Sequence, residues 1–122
     1  MKLVVSDFFH ASHTLPDSSN LISKDCARLH GHTYLVKVEI ESGELKNGMI
    51  ADFKKIKDII GIFDHRHVND VFNEHGWNEP TTAENIAIFI KKKIAADFNF
   101  KTVSVSVCEG YMGEVLSSWI IV

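Results

Sequence analysis

Residues 30–41 read HGHTYLVKVEIE, and their alternation decides the fold class. Tyr34, Val36, Val38 and Ile40 fall on one face of an extended chain. Thr33, Lys37, Glu39 and Glu41 fall on the other, with Leu35 the exception. Successive side chains on a strand point to opposite faces, so this pattern predicts a strand with one buried and one open face. Upstream, residues 2–13 (KLVVSDFFHASH) repeat it, with Leu3, Val5, Phe9, Ala11 and His13 on a common face. The polar stretch Thr14 to Arg28 between them is expected as a loop, and Ser42 to Gly48 as a turn.

Further along, the period changes. Asp52 is positioned as the N-cap of a helix whose apolar positions are Phe53, Ile56, Ile60 and Phe63. A second helix is expected from near Thr81, with Glu84 completing a T-x-x-E capping box and Ile86, Ile90 and Ile94 forming a stripe. Val103, Val105 and Val107 then alternate with Thr102, Ser104 and Ser106, and a last strand is expected over Val115 to Val122 after the turn E-G-Y-M-G. The order β-β-α-α-β-β predicts an α+β domain spanning residues 1–122, with one face of a four-stranded antiparallel sheet covered by two helices. Such a sheet has two open edges, which natural proteins cover or pair, so a homo-oligomer is expected.

Composition narrows the partners. Hydrophobic residues make up 45% and charged residues 24%, the balance of an ordinary globular domain. A net charge of -3 argues against a nucleic-acid partner. The opening MKLVVSDFF has too short an apolar run for an export signal or a membrane span. Cytoplasmic location with Cys26 and Cys108 reduced is therefore expected.

The histidines carry the chemistry. His30 and His32 are one residue apart and so share a strand face, the apolar one, while His13 shares the inward face of the first strand. A single inward histidine is most often a hydrogen-bonded core residue. Three converging on one face instead suit a zinc ion, with Zn–N of about 2.0–2.1 Å and a fourth position open to water or substrate. Two roles fit Cys26, four residues before His30: a fourth ligand that closes the site, or a thiolate base beside the metal. Spacing does not decide between them. Asp64-His65 has the composition of a carboxylate-supported proton-transfer pair, although adjacent residues often point apart. Glu109, ending V-S-V-S-V-C-E, could grip an N–H–C–NH₂ ring edge through two hydrogen bonds.

Taken together, these segments resemble the 6-pyruvoyl-tetrahydropterin synthase and 6-carboxytetrahydropterin synthase family. C-A-R-L-H-G-H-T-Y at 26–34 is similar to the family's C-x-x-x-H-G-H, and F-H-A-S-H at 9–13 to its F-x-A-x-H. F-D-H-R-H-V-N at 63–69 resembles L-D-H-x-x-L-N, and T-A-E-N at 82–85 and Glu109 fit two further elements in the same order. The resemblance implies a T-fold whose units join into a trimeric barrel or a dimer of trimers. By position it implies Zn²⁺ on His13, His30 and His32, and Cys26 as the proton-transferring thiol, assisted by Asp64 and His65 from across a subunit boundary. It implies that Glu109 anchors the pterin, with Thr82 and Glu84 lining the same pocket. The sequence does not identify the ligands of the triphosphate; Lys24 and Arg28 are candidates by their place in the loop.

The implied substrate is 7,8-dihydroneopterin triphosphate. One branch eliminates triphosphate to give 6-pyruvoyl-tetrahydropterin. The other also releases acetaldehyde and gives 6-carboxy-tetrahydropterin for 7-deazaguanine (queuosine) synthesis, and the compact chain with its single cysteine in the C-x-x-x-H-G-H segment favours that branch. Gly110, Phe63 and Thr33 depart from the family's usual Thr, Leu and Asn. Readings of another class are a non-catalytic zinc protein closed by Cys26, and a pterin binder that would need neither Cys26 nor His65.

Overall fold

The computed structural model describes residues 1–16, 24–98, 100, 102–110 and 118–122. Strand β1 (Lys2–His13) runs antiparallel to β2 (His30–Glu41), in unbroken register from Lys2 opposite Glu41 to His13 opposite His30. Both strands have the bounds that the alternation predicts. β4 (Thr102–Glu109) pairs with β2, and β5 (Ser118–Ile121) pairs with β4, both antiparallel. The part of the last expected strand before Ser118 lies outside the described residues, as does most of the turn leading to it.

Among the described residues the sheet has five strands rather than four, in the order β3-β1-β2-β4-β5. The added strand is β3 (Arg66–His67), which runs parallel to β1 opposite Ala11 and Ser12. Two residues are too short to show a period, so nothing in the pattern announces it. Two short helices were likewise not expected: α1 (Lys24–Ala27), within the predicted loop, and α3 (Val68–Glu74).

Helix α2 (Phe53–Ile60) begins where Asp52 indicates, its carboxylate accepting the Lys54 N–H at 2.9 Å. Ile56 and Ile60 are fully buried, but Phe53 is 61% exposed. It sits on the first turn beside Met1, Leu45 and Met49, around an open groove. Phe63 reaches the core from a separate 3₁₀ turn (Gly61–Phe63) and stacks on Phe9 at 5.2 Å; Phe9 in turn stacks on Tyr34 at 4.8 Å. The connection after β2 tightens at Lys46–Met49, where Asn47 and Gly48 both have positive φ, the preference of an Asn-Gly turn.

Helix α4 (Ala83–Phe98) lies on β4, and α2 on β1, so both cover the same face. Ile86, Ile90 and Ile94 are buried as the stripe predicts. Its cap differs from the predicted box: the Thr82 hydroxyl, not Thr81, accepts the Asn85 N–H at 3.3 Å. Thr81 is turned inward and buried, while Glu84 is exposed.

Across the opposite face, register places Phe8, Leu35, Cys108 and Trp119 in one row over four strands. Phe8 is 53% exposed there and Ile121 69%. This row accounts for Leu35, the residue that breaks the alternation. No helix among the described residues is long and apolar enough to cross a membrane.

Candidate metal centre

The β1–β2 register builds the site. His13 ends β1 directly opposite His30, which begins β2, and Ala11 faces His32. The three rings converge, with centroids 4.5 Å (His13–His30), 5.3 Å (His13–His32) and 4.8 Å (His30–His32) apart, at steep mutual angles.

Backbone carbonyls set two of the tautomers. His13 Nδ1 lies 2.7 Å from the Thr81 carbonyl, and His30 Nδ1 lies 2.6 Å from the Arg28 carbonyl. A carbonyl oxygen only accepts, so each Nδ1 carries a proton, and in the neutral ring Nε2 is left as a lone pair. Those two Nε2 atoms face each other at 2.9 Å. Lone pairs at that distance repel unless a proton or a cation lies between them. Support of this kind for the remote nitrogen is the usual way a metal-ligating histidine is oriented.

The third ring adds a second sign. His32 Nε2 is buried without an aligned hydrogen bond, although Glu109 Oε1 approaches to 2.7 Å. Ligand atoms of His13, His30, His32 and Glu109 all lie within 4.8 Å of one another. Three imidazole nitrogens and a carboxylate oxygen form a donor set suited to zinc. The residues present therefore fit the metal.

Electrostatics favour the ligating forms. Burial pulls His13 below the ordinary imidazole range, opposed by its bond to the Thr81 carbonyl, so the ring is held neutral. His32, at 2.7 Å, is the main influence holding Glu109 below the usual carboxylate range.

Several supporting residues escaped the sequence reading. Thr81 supplies the carbonyl for His13, and its hydroxyl donates to the Thr14 carbonyl at 3.1 Å. Asn69 clamps Thr14 from both sides, Oδ1 accepting its N–H and Nδ2 donating to its carbonyl, each at 3.0 Å. The only sequence signal for Asn69 was its place in F-D-H-R-H-V-N; for Thr81 there was none.

The remaining predicted residues divide into two groups. Asp64 and His65 do form a pair, with Asp64 Oδ2 at 2.9 Å from His65 Nδ1. His65 adopts φ 58°, and this left-handed turn lets adjacent side chains meet. The pair docks on β1: the His10 N–H donates to Asp64 Oδ1 at 3.0 Å, and the His65 N–H to the His10 carbonyl at 2.7 Å. The first of these bonds is the main reason the Asp64 carboxyl lies below its ordinary range. His65, His10, Thr33, Gly31, His32 and Gly110 line an open cavity of about 640 Å³.

Cys26, half-buried in α1, contributes no atom to the converging set and does not line that cavity. Thr82 and Glu84 do not line it either: Thr82 is committed to capping α4, and Glu84 stands exposed on the first turn. Among the described residues Arg28 reaches the site through its backbone carbonyl, and Lys24 begins α1 in an exposed position.

The profile of the 6-pyruvoyl tetrahydropterin synthase family matches residues 2–117, nearly the whole chain. The chain belongs to this family. It is 31% identical over 120 residues to a putative 6-carboxy-5,6,7,8-tetrahydropterin synthase of Archaeoglobus fulgidus, covering 94% of this chain and 95% of that protein. It is 36% identical over 97 residues to the dihydroneopterin monophosphate aldolase of Pyrococcus furiosus, covering 75% and 79%. Among solved structures, the 6-pyruvoyl tetrahydropterin synthase of Caenorhabditis elegans superimposes with a TM-score of 0.65 at 23% identity, over 96% of this chain and 92% of that one. The Plasmodium falciparum enzyme does so with 0.68 at 16%, over 100% and 96%. These two likenesses carry the fold of the 6-pyruvoyl tetrahydropterin synthase family, the T-fold.

Proposed function

We propose that the chain is a zinc-dependent pterin lyase that converts 7,8-dihydroneopterin triphosphate to 6-carboxy-5,6,7,8-tetrahydropterin, releasing acetaldehyde and triphosphate. The observation that carries this is the histidine triad, with two tautomers set by backbone carbonyls so that paired Nε2 lone pairs face a common point. The bound metal would act as a Lewis acid toward the substrate's side-chain hydroxyls. Relatives named 6-carboxy-5,6,7,8-tetrahydropterin synthase in Archaeoglobus fulgidus and Haemophilus influenzae support the substrate class.

Around that centre, Glu109 grips the amino-pyrimidine edge, and Cys26 moves protons on the side chain. Asp64 orients His65, whose ring lines the cavity beside His32. Thr82 and Glu84 carry their substrate roles from the resemblance alone. Cys26 and His65 do not meet around one chain's cavity, which supports a site completed across a subunit boundary. The edge of β1 before His10, unpaired among the described residues, and the apolar row Phe8–Leu35–Cys108–Trp119 support assembly, and the trimer or dimer of trimers comes from the resemblance. A cytoplasmic place in 7-deazaguanine synthesis accords with this reading.

The Pyrococcus furiosus relative favours a second reading, aldol cleavage of dihydroneopterin monophosphate. Both readings break the same pterin side chain. Product analysis of the zinc-loaded protein with each phosphate ester separates them. Acetaldehyde and triphosphate from the triphosphate support the first; turnover of the monophosphate alone supports the second. If neither ester is consumed by fully metal-loaded protein, both fail.

A further inference from the structure

Two demands converge on the Glu109 carboxylate. Its grip on a pterin edge needs both oxygens presented side by side to two N–H groups. In the structure Oε1 instead lies 2.7 Å from His32 Nε2, and the carboxylate belongs to the same 4.8 Å cluster as His13 and His30. That His32 nitrogen is buried and has no aligned hydrogen bond, so the contact has the character of two ligand atoms facing one point. Cys26, the other residue that could close a three-histidine centre, is absent from the cluster.

The backbone accounts for the position. Glu109 ends β4 on the inward face, and Gly110 follows in the left-handed region at φ 79°. His32, which Glu109 approaches, and Gly110, which follows it in the chain, both line the open cavity.

We propose that Glu109 is the fourth ligand of the resting metal centre and leaves it to grip the incoming pterin, so that substrate binding itself opens the metal. This rests on the pterin reading above and deepens it. The resting centre is closed, and the position that polarises substrate hydroxyls is exposed only when a pterin ring has captured the carboxylate. By linkage, ring and metal then compete for one side chain, so each weakens the other's binding by the same factor.

The test uses the assembled protein loaded with Co²⁺ or Zn²⁺ alone, titrated against a chelator. Glu109→Gln keeps the shape but not the anionic ligand. It should lower metal affinity by more than about tenfold, at least what loss of an outer-shell partner costs, whereas Cys26→Ala should not. Retention of wild-type affinity by an assembled Glu109→Gln protein overturns the ligand assignment.

A second arm needs no variant. A pterin with only a methyl side chain, which offers no hydroxyl to the metal, is added to wild-type Co²⁺ protein. Its binding should change the visible Co²⁺ absorption and weaken metal retention. If this pterin binds, as its fluorescence reports, with both readouts unmoved, the alternation is refuted. If no pterin binds, the alternation falls together with the pterin reading, and the metal titration still decides the ligand.

Discussion

Replacing Asn69 by Ala probes how the fold holds the triad without touching a ligand. Asn69 makes two 3.0 Å hydrogen bonds to the Thr14 backbone, and its Oδ1 lies 3.4 Å from the Thr81 hydroxyl, whose one proton goes to the nearer Thr14 carbonyl. Thr14 follows His13, and Thr81 supplies the carbonyl that sets the His13 tautomer. The clamp therefore joins the end of β1 to α3. A net of about 1 kcal/mol for each of the two short bonds gives about 2 kcal/mol, roughly a thirtyfold change in the unfolding equilibrium. The 3.4 Å contact with the Thr81 hydroxyl is at the edge of normal geometry and adds little. The measurement is urea unfolding of metal-free wild type and variant at one fixed protomer concentration, since assembly shifts apparent stability. Metal affinity is read in parallel by chelator competition. With Thr14, the residue next to His13, less firmly held, it should fall by about 10–100-fold, as for other partners of ligating histidines. A stability change under about 0.5 kcal/mol with unaltered metal affinity would refute the argument that this clamp positions His13.

Three further outcomes are expected. His30→Ala removes one of the converging nitrogens, so metal content and activity should fall together; full zinc occupancy by elemental analysis would sink the ligand assignment. Cys26→Ala should keep its zinc yet lose about 10²–10⁴-fold in turnover, the usual share of an acid–base group. Refolded as a mixture with His65→Ala it should regain part of the activity, and a dead mixture in which hybrid oligomers are shown to form would exclude a shared site. The third concerns pH. Burial lowers His13, so between its ordinary and depressed values the unfolded chain holds more protons, and its contribution to stability fades as pH falls below about 6.5. Metal-free wild type should therefore lose more stability than His13→Gln between pH 8 and pH 5, and parallel pH profiles for the two proteins would contradict this.

Much of the architecture follows from periodicity alone, because a strand with one buried face must alternate. β1 and β2 therefore have the predicted bounds, and His13, His30 and His32 were legible as inward before any contact was known. Asp52 was legible as a cap for the same kind of reason, since the bond it makes is two residues away. Motif order carried the family. Phe53 misled because a helix's first turn can project beyond the sheet that its later turns cover. The T-x-x-E box misled because Thr81 and Thr82 are equally good caps in sequence. Only a buried partner 68 residues away, His13, turns Thr81 inward.

What the tertiary structure alone decided is of one kind. Both identified tautomers depend on main-chain carbonyls, and a carbonyl has no residue type for a motif to display. The Asp64–His65 pair forms through a positive φ and two bonds to the His10 backbone, and β3 exists through pairing over two residues. The approach of Glu109 to His32 is set by the register of β2 against β4, contacts between segments far apart in the chain. Residue types and their spacing thus determined which groups face inward. Long-range backbone pairing decided which nitrogen of His13 and His30 is free, and which carboxylate stands beside the triad.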